Sequence, residues 1–240
     1  MKFINITLRV MIYIFLCSHS YSEEIQIESS NMDIIDNGNT IIANNSNIKI
    51  PDDNITITSI LARYDKIKNV VTFSDNVFLN DGNNDVIIKS NLVRYERKKD
   101  LIYSDGKTNL IIDKTYNIKS ENVYYDRVLK KFYGNEETLI EDKENNYYIL
   151  KNGFELDILN EIIKSKKSII IDKNNNKYVF ENLSVNLKDN EIAGKELKVE
   201  FEKSYFGNAN NDPLLKGRGS YSNDDELKVY KAVFSTCNTE

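Results

Sequence analysis

Histidine occurs once in the 240 residues, cysteine twice and proline twice. The histidine, His19, and one cysteine, Cys17, fall in the first 22 residues, which read as a secretory signal. Lys2 and Arg9 flank the amino-terminal end, Val10 to Cys17 is a compact apolar core, and Ser20-Tyr21-Ser22 places small residues where a signal peptidase reads. The apolar run is too short to span a bilayer, so cleavage before Glu23 is expected, with a retained anchor as the alternative. Bulky Leu16 ahead of Cys17 argues against a lipoprotein signal. The remaining chain then has no histidine and one thiol, Cys237. That excludes histidine acid-base catalysis, Ser/His and Cys/His nucleophiles, and Cys/His zinc sites. It also excludes an internal disulfide. No catalytic residue, cofactor or metal is expected. Loss of Lys2 and Arg9 takes the basic residues from 32 to 30 against 37 acidic ones, a net charge of −7. Nucleic acid is a poor partner for that balance.

What the chain does have is a repeat. Ile57 to Asp85 and Ile88 to Asp113 match almost position for position, each a strand-sized segment, a polar turn and a returning segment. Ser29, Ser59, Ser90, Ser120, Lys151 and Glu181 occupy equivalent places, spaced 30, 31, 30, 31 and 30 residues apart. Six two-stranded units are implied, each burying its apolar face against its neighbours. At 40% apolar residues the chain can support such a core.

Three apolar columns follow this register. Two residues before the marker stand Ile27, Ile57, Ile88, Ile118, Ile149 and Val179. Five residues after it stand Tyr64, Tyr95, Tyr125 and Leu156, lapsing at Asn186. The return strands carry Val71, Ile102, Phe132, Ile163 and Ile192. The first two columns are an odd number of places apart, so a straight strand would aim them at opposite faces. A bulge or corner between them would bring both to one interior. That interior is either a closed, dry core or a sandwich open along one side to an apolar ligand. Phe154 to Lys167 has helical spacing, but the register predicts two strands around Asn160. Beyond Gly207 the period is lost in a polar tail.

Other candidate sites are weaker. Asp81-x-Asn83-x-Asp85 and Asp172-x-Asn174-x-Asn176 lack the glycine and distal glutamate of a calcium loop and read as turns. Asp75 and Asp105, 30 residues apart, could pair as the carboxylates of an exported β-helix enzyme or adhesin acting on polysaccharide. Solvated turn acids are the plainer reading. Arg63 and Arg94 stack in the repeat, but the series continues as Tyr124 and Glu155, which favours a solvated face over a phosphate ladder.

The strands Ser59-Ile-Leu-Ala-Arg-Tyr-Asp65 and Ser90-Asn-Leu-Val-Arg-Tyr-Glu96, with returns through Phe73-Ser-Asp75 and Tyr103-Ser-Asp105, resemble the OstA-like domain. That domain is shared by proteins that carry lipopolysaccharide across the Gram-negative periplasm. Asn211-Asp-Pro-Leu-Leu-Lys-Gly-Arg218 and Val233-Phe-Ser-Thr-Cys237 resemble the segment that joins this domain to the β-barrel in the LptD family of outer-membrane assembly proteins. The resemblance implies an all-β, V-shaped β-jellyroll over residues 23–206 and a tail, 207–240, leading towards a barrel at the periplasmic side of the outer membrane. It implies that the three columns line a groove for the acyl chains of lipid A. It implies edge-strand stacking with an LptA-like bridge protein and an LptE-like lipoprotein partner through the barrel. Cys237 matches family cysteines that form disulfides to that barrel. This chain does not contain the barrel, so the expectation is a fragment, or a free-standing jellyroll that bridges as LptA does.

Overall fold

A computed structural model describes residues 25–142, 145–202, 213–223 and 225–236; the expected signal segment, residues 1–22, and Cys237 lie outside the described residues. The repeat units map onto strands directly. The first unit is β1 (Gln26–Glu28) and β2 (Asn31–Ile35), returning as β3 (Thr40–Ile50). The second is β4 (Ile55–Asp65) with β5 (Val70–Asp81), and the third β6 (Val86–Glu96) with β7 (Leu101–Ile112). The fourth breaks each limb in two, β8 (Tyr116–Glu121) and β9 (Tyr124–Asp126), then β10 (Lys131–Gly134) and β11 (Thr138–Glu141). The fifth has β12 (Tyr147–Leu150) and β13 (Phe154–Asp157), then β14 (Ile162–Ile171); the sixth is β15 (Lys177–Asn186) with β16 (Glu191–Glu200). The sheet runs on past the point where the sequence period lapses, through β17 (Leu214–Ser222), β18 (Leu227–Tyr230) and β19 (Val233–Ser235). All pairings are antiparallel, and the chain is the all-β, jellyroll-like stack of two-stranded repeats expected from the sequence. Asn160 sits in the turn between β13 and β14, as the register predicts over the helical pattern.

Most long limbs bend at mid-length. The bend residues adopt positive φ: Asn45 in β3, Asp75 and Asn76 in β5, Gly106 in β7, Asn122 between β8 and β9, Lys167 in β14 and Glu196 in β16. Register shifts mark the same level between Thr58 and Leu61, Ser74 and Val77, and Ser90 and Leu92. One left-handed residue breaks the alternation of side chains and re-aims the rest of the strand, and Asn, Asp and Gly tolerate it best. This is the corner that the odd column spacing requires. It folds the sheet into two half-sheets that share one core.

The marker serines serve this corner. A bulge pulls a backbone carbonyl out of the ladder, and a buried hydroxyl can satisfy it. Ser59 Oγ donates to the Leu61 carbonyl at 2.9 Å and Thr108 Oγ1 to that of Gly106 at 3.1 Å. The hydroxyls also pair across strands, Ser46 with Ser59 at 2.9 Å and Ser120 with Thr138 at 2.6 Å. The tail strand β17 joins the sheet at the cost of side chains. A Cβ on Gly217 would lie 2.2 Å from Val229 Cγ1, so only glycine lets β18 close over it.

Two interior rungs cross the stack. On one half-sheet the register links Ile27, Ile48, Ile57, Leu79, Ile88, Leu110, Ile118, Ile140, Tyr148, Ile170, Tyr178, Val199 and Leu215. The sequence column is therefore right as far as Ile118 and then slips by one residue. Tyr148 and Tyr178 take the interior places, whereas Ile149 and Val179 are half-buried and turned to the outer face. The interior spacing from Ile118 is 30 residues, not the 31 of the marker count, and with a period of two a single residue reverses the face. On the other half-sheet a separate slip of one residue, after Leu156, explains Asn186, since Val185 is the buried residue there. In urea unfolding, Ile118→Ala is expected to cost about 2–5 kcal/mol. Ile149→Ala should cost about 1 kcal/mol or less. Equal losses would return Ile149 to the interior.

Candidate functional site: the interior and its charged seam

The second rung, on the other half-sheet, merges the remaining two columns. Tyr64 pairs with Val71, then Tyr95, Ile102, Tyr125, Phe132, Leu156, Ile163, Val185 and Ile192 follow in register. Val71, Ile102, Phe132 and Ile163 are buried, as are Tyr95, Tyr125 and Leu156; Tyr64 and Ile192 pack against the core from its margin. Ile57, Ile88 and Ile118 face them from the first rung in the same cluster. Tyr125 stacks on Phe132 with ring centroids 4.2 Å apart. The structure thus brings together every predicted lining residue except Ile149 and Val179, and it packs them as a closed core.

At the ends of the stack the same rungs emerge. Among the described residues β1 and β2 pair only with β3, and β18 and β19 only with β17, which leaves one backbone edge unpaired at each end. Ile34 is 62% exposed at one end and Phe234 51% at the other. Apolar residues on an open strand edge are a template for another chain's strands.

The long side opposite the corners is where the turns of the two half-sheets meet, and it holds a cluster absent from the sequence reading. Asp81 ends β5 within an otherwise apolar rung of Ile50, Ile55, Val86 and Ile112, and it is fully buried. Arg127, just after β9 on the other half-sheet, reaches it with Nε donating to Asp81 Oδ2 at 2.9 Å. A second nitrogen donates to Asp100 Oδ1 at 2.6 Å and lies 3.6 Å from Asp53 Oδ1. Tyr125 Oη donates to Asp81 at 3.0 Å and Tyr95 Oη to Asp100 at 2.7 Å. Burial opposes the charge of Arg127, and its hydrogen bonds to Asp81 and Asp100 overcome that and hold it protonated. One signal was present in the sequence. Lys66, Arg97 and Arg127 follow the Tyr-acid pair in successive repeats, and the fifth repeat has Ile158.

The remaining candidates are structural. Asp81 accepts from the Asn83 amide and the Asn84 side chain, and Asp172 from the Asn174 and Asn176 amides, as turn acids do. Asp75 and Asp105 stand exposed at the corner. Arg94 lies over the Tyr103 ring at 4.6 Å rather than in a ladder with Arg63.

No family model matches the chain, and no curated protein matches it. Among solved structures it is similar to LptH, the LptA-homologous periplasmic component of the lipopolysaccharide transport device of Pseudomonas aeruginosa. The identity is 12% and the TM-score 0.39, over 43% of this chain and 76% of that one.

The two buried phenols give the seam a pH signature. Burial, then the hydrogen bond to Asp100, pushes Tyr95 well above the usual phenol range. Burial, then the charge of Asp81, does the same to Tyr125. In the unfolded chain both would ionise near pH about 10. The native state keeps their protons, so this contribution is complete below that pH and is lost as pH rises beyond it. Urea unfolding should weaken above pH about 10 in the wild type and less steeply in Tyr95→Phe/Tyr125→Phe. Tyrosinate absorbance should show two phenols silent until the chain unfolds; their titration near pH about 10 in the folded protein would contradict this.

Proposed function

We propose that this protein holds the acyl chains of lipopolysaccharide between its two half-sheets and passes them along the stack, without chemistry. The observation that carries the reading is the pair of apolar rungs that cross the sheet, one from Ile27 to Leu215 and Phe234 and the other from Ile34 to Ile192, with exposed apolar residues beside the open strand edges at both ends. A conduit needs an apolar path longer than one ligand, and a bridge needs ends that can be extended. Parting the core exchanges protein contacts for lipid contacts of similar kind, so the net gain is the lipid's own escape from water. At roughly 0.8 kcal/mol per methylene, a chain of about ten methylenes contributes roughly 8 kcal/mol. That is ample for holding a lipid without a covalent step.

In this reading the open edges stack head to tail with an LptA-like bridge protein, by strand addition. The finer assignment is the periplasmic domain of an LptD-like protein, handing lipid to an outer-membrane barrel with an LptE-like lipoprotein beside it. It rests on the motif in the tail, where Cys237 would pair with the barrel. The alternative, a free-standing LptA-like bridge, shares the interior and the edges.

Photo-crosslinking residues placed at Ile88, Ile118 and Tyr125 should capture lipopolysaccharide, and the same residue at Ile149 or Val179 should capture markedly less. Lipid adducts missing from all three interior positions would refute the conduit.

A further inference from the structure

Around Arg127 the interior is closed along both of its long sides, whereas nearer β15–β17 cavities of about 180 and 170 Å³ lie between the half-sheets, lined by Tyr148, Ile192 and Leu187 and by Ile170, Tyr178 and Leu197; the two long sides differ in kind. On the corner side the strands themselves continue from one half-sheet to the other, so that side cannot open without breaking the ladders. On the other side, among the described residues, nothing covalent crosses between the facing turns. They are joined by side chains: Asp81 and Asp53 of one half-sheet with Arg127, Asp100, Tyr95 and Tyr125 of the other, and further along by Tyr116, whose hydroxyl donates to the Leu187 carbonyl at 3.2 Å. We propose that this seam is a lateral portal through which the acyl chains of an amphiphile enter the interior, and that Arg127 with its aspartates is the latch that holds it shut. The proposal rests on the conduit reading and adds to it the place and the means of entry.

The choice of residues supports a latch over a staple. A buried ion pair is seldom more stabilising than an apolar pair of the same size, because both charges have been taken from water. The fold itself supplies the apolar solution at matching places. The rung position of Asp81 is Ile112 in the following return strand, and the repeat position of Arg127 is Ile158 in the following unit. Opening an apolar seam exposes greasy surface to water with no compensation. Opening a charged one returns Arg127, Asp81 and their partners to solvent, which repays much of the desolvation that closing them required. The seam is therefore the parting line of least cost in an otherwise apolar core, and it reseals with fixed geometry through the bonds of Arg127 to Asp81 and Asp100.

Thiol labelling tests the seam without any lipid. With Cys17 and Cys237 replaced by serine, Val86→Cys reports beside Asp81 and Val93→Cys reports on the other half-sheet, close to the corner; both valines are fully buried. The seam cysteine should label at least tenfold faster than the corner cysteine under native conditions. Replacing the latch with the residues the fold uses elsewhere, Asp81→Ile/Arg127→Ile, should remove that difference without loss of stability to urea. Should that pair fail to fold, Asp53→Cys/Asp100→Cys oxidised across the seam, without the labelling cysteines, replaces it, with cis-parinaric acid, a fluorescent fatty acid, as the probe. Its association should slow at least tenfold in either locked form and recover on reduction of the disulfide. Equal labelling at the two positions, or a seam rate unmoved by the latch replacement, would overturn the portal, as would unchanged fatty-acid association in a locked form. A seam that labels fast in a wild type that binds neither cis-parinaric acid nor lipopolysaccharide would refute the conduit reading, and entry with it, while leaving the parting line established.

Discussion

Everything in this fold depends on the reversal of side-chain alternation that a single left-handed residue imposes at the middle of a strand. Without it, Ile57 and Tyr64 would lie on opposite faces, and a sheet with both faces half apolar would have no interior. With it, each limb contributes to two half-sheets that face one another. The bend has a local requirement, because its freed carbonyls need donors in a place without water. Ser59, Thr108 and Thr138 meet that requirement, which is why a hydroxyl recurs in the middle of so apolar a chain. The repeat marker is thus a backbone device, and the interior residues are placed by it.

That constraint also decides how much of the structure the sequence displays. The columns through Ile118 and Tyr125 are legible because spacing alone sets them. Ile149 and Val179 are misread because the fourth and fifth units lose a residue between interior positions, and a period-two element has no tolerance for that. β17 is hidden by its glycines, and at Gly217 the lack of a side chain is a packing requirement rather than a turn signal. The repeat aligns Arg127 with Lys66 and Arg97 but gives no sign of its partner, since Asp81 and Arg127 meet only after the sheet has folded over.

The same folding-over gives the molecule two unlike long sides and two unlike kinds of surface. Its corners are covalent hinges and its turn side is a noncovalent closure. Its ends expose apolar residues such as Ile34 and Phe234 and, among the described residues, unpaired backbone, whereas its faces are largely polar strands studded with lysine and glutamate. Apolar ends suit association in series, and a charged closure in an apolar core suits a container that must open and close. Neither feature asks for a reactive group, in keeping with a chain whose only histidine is His19.

The central claim is that a lipid lies between the two half-sheets. Spin labels at Asn83 and Lys98, on turns that face each other across the seam, would measure that directly by pulsed dipolar spectroscopy. Addition of lipopolysaccharide should shift the interlabel distance outward by roughly the width of an acyl chain. A distance distribution unchanged while lipid is demonstrably bound would place the ligand elsewhere and contradict the account.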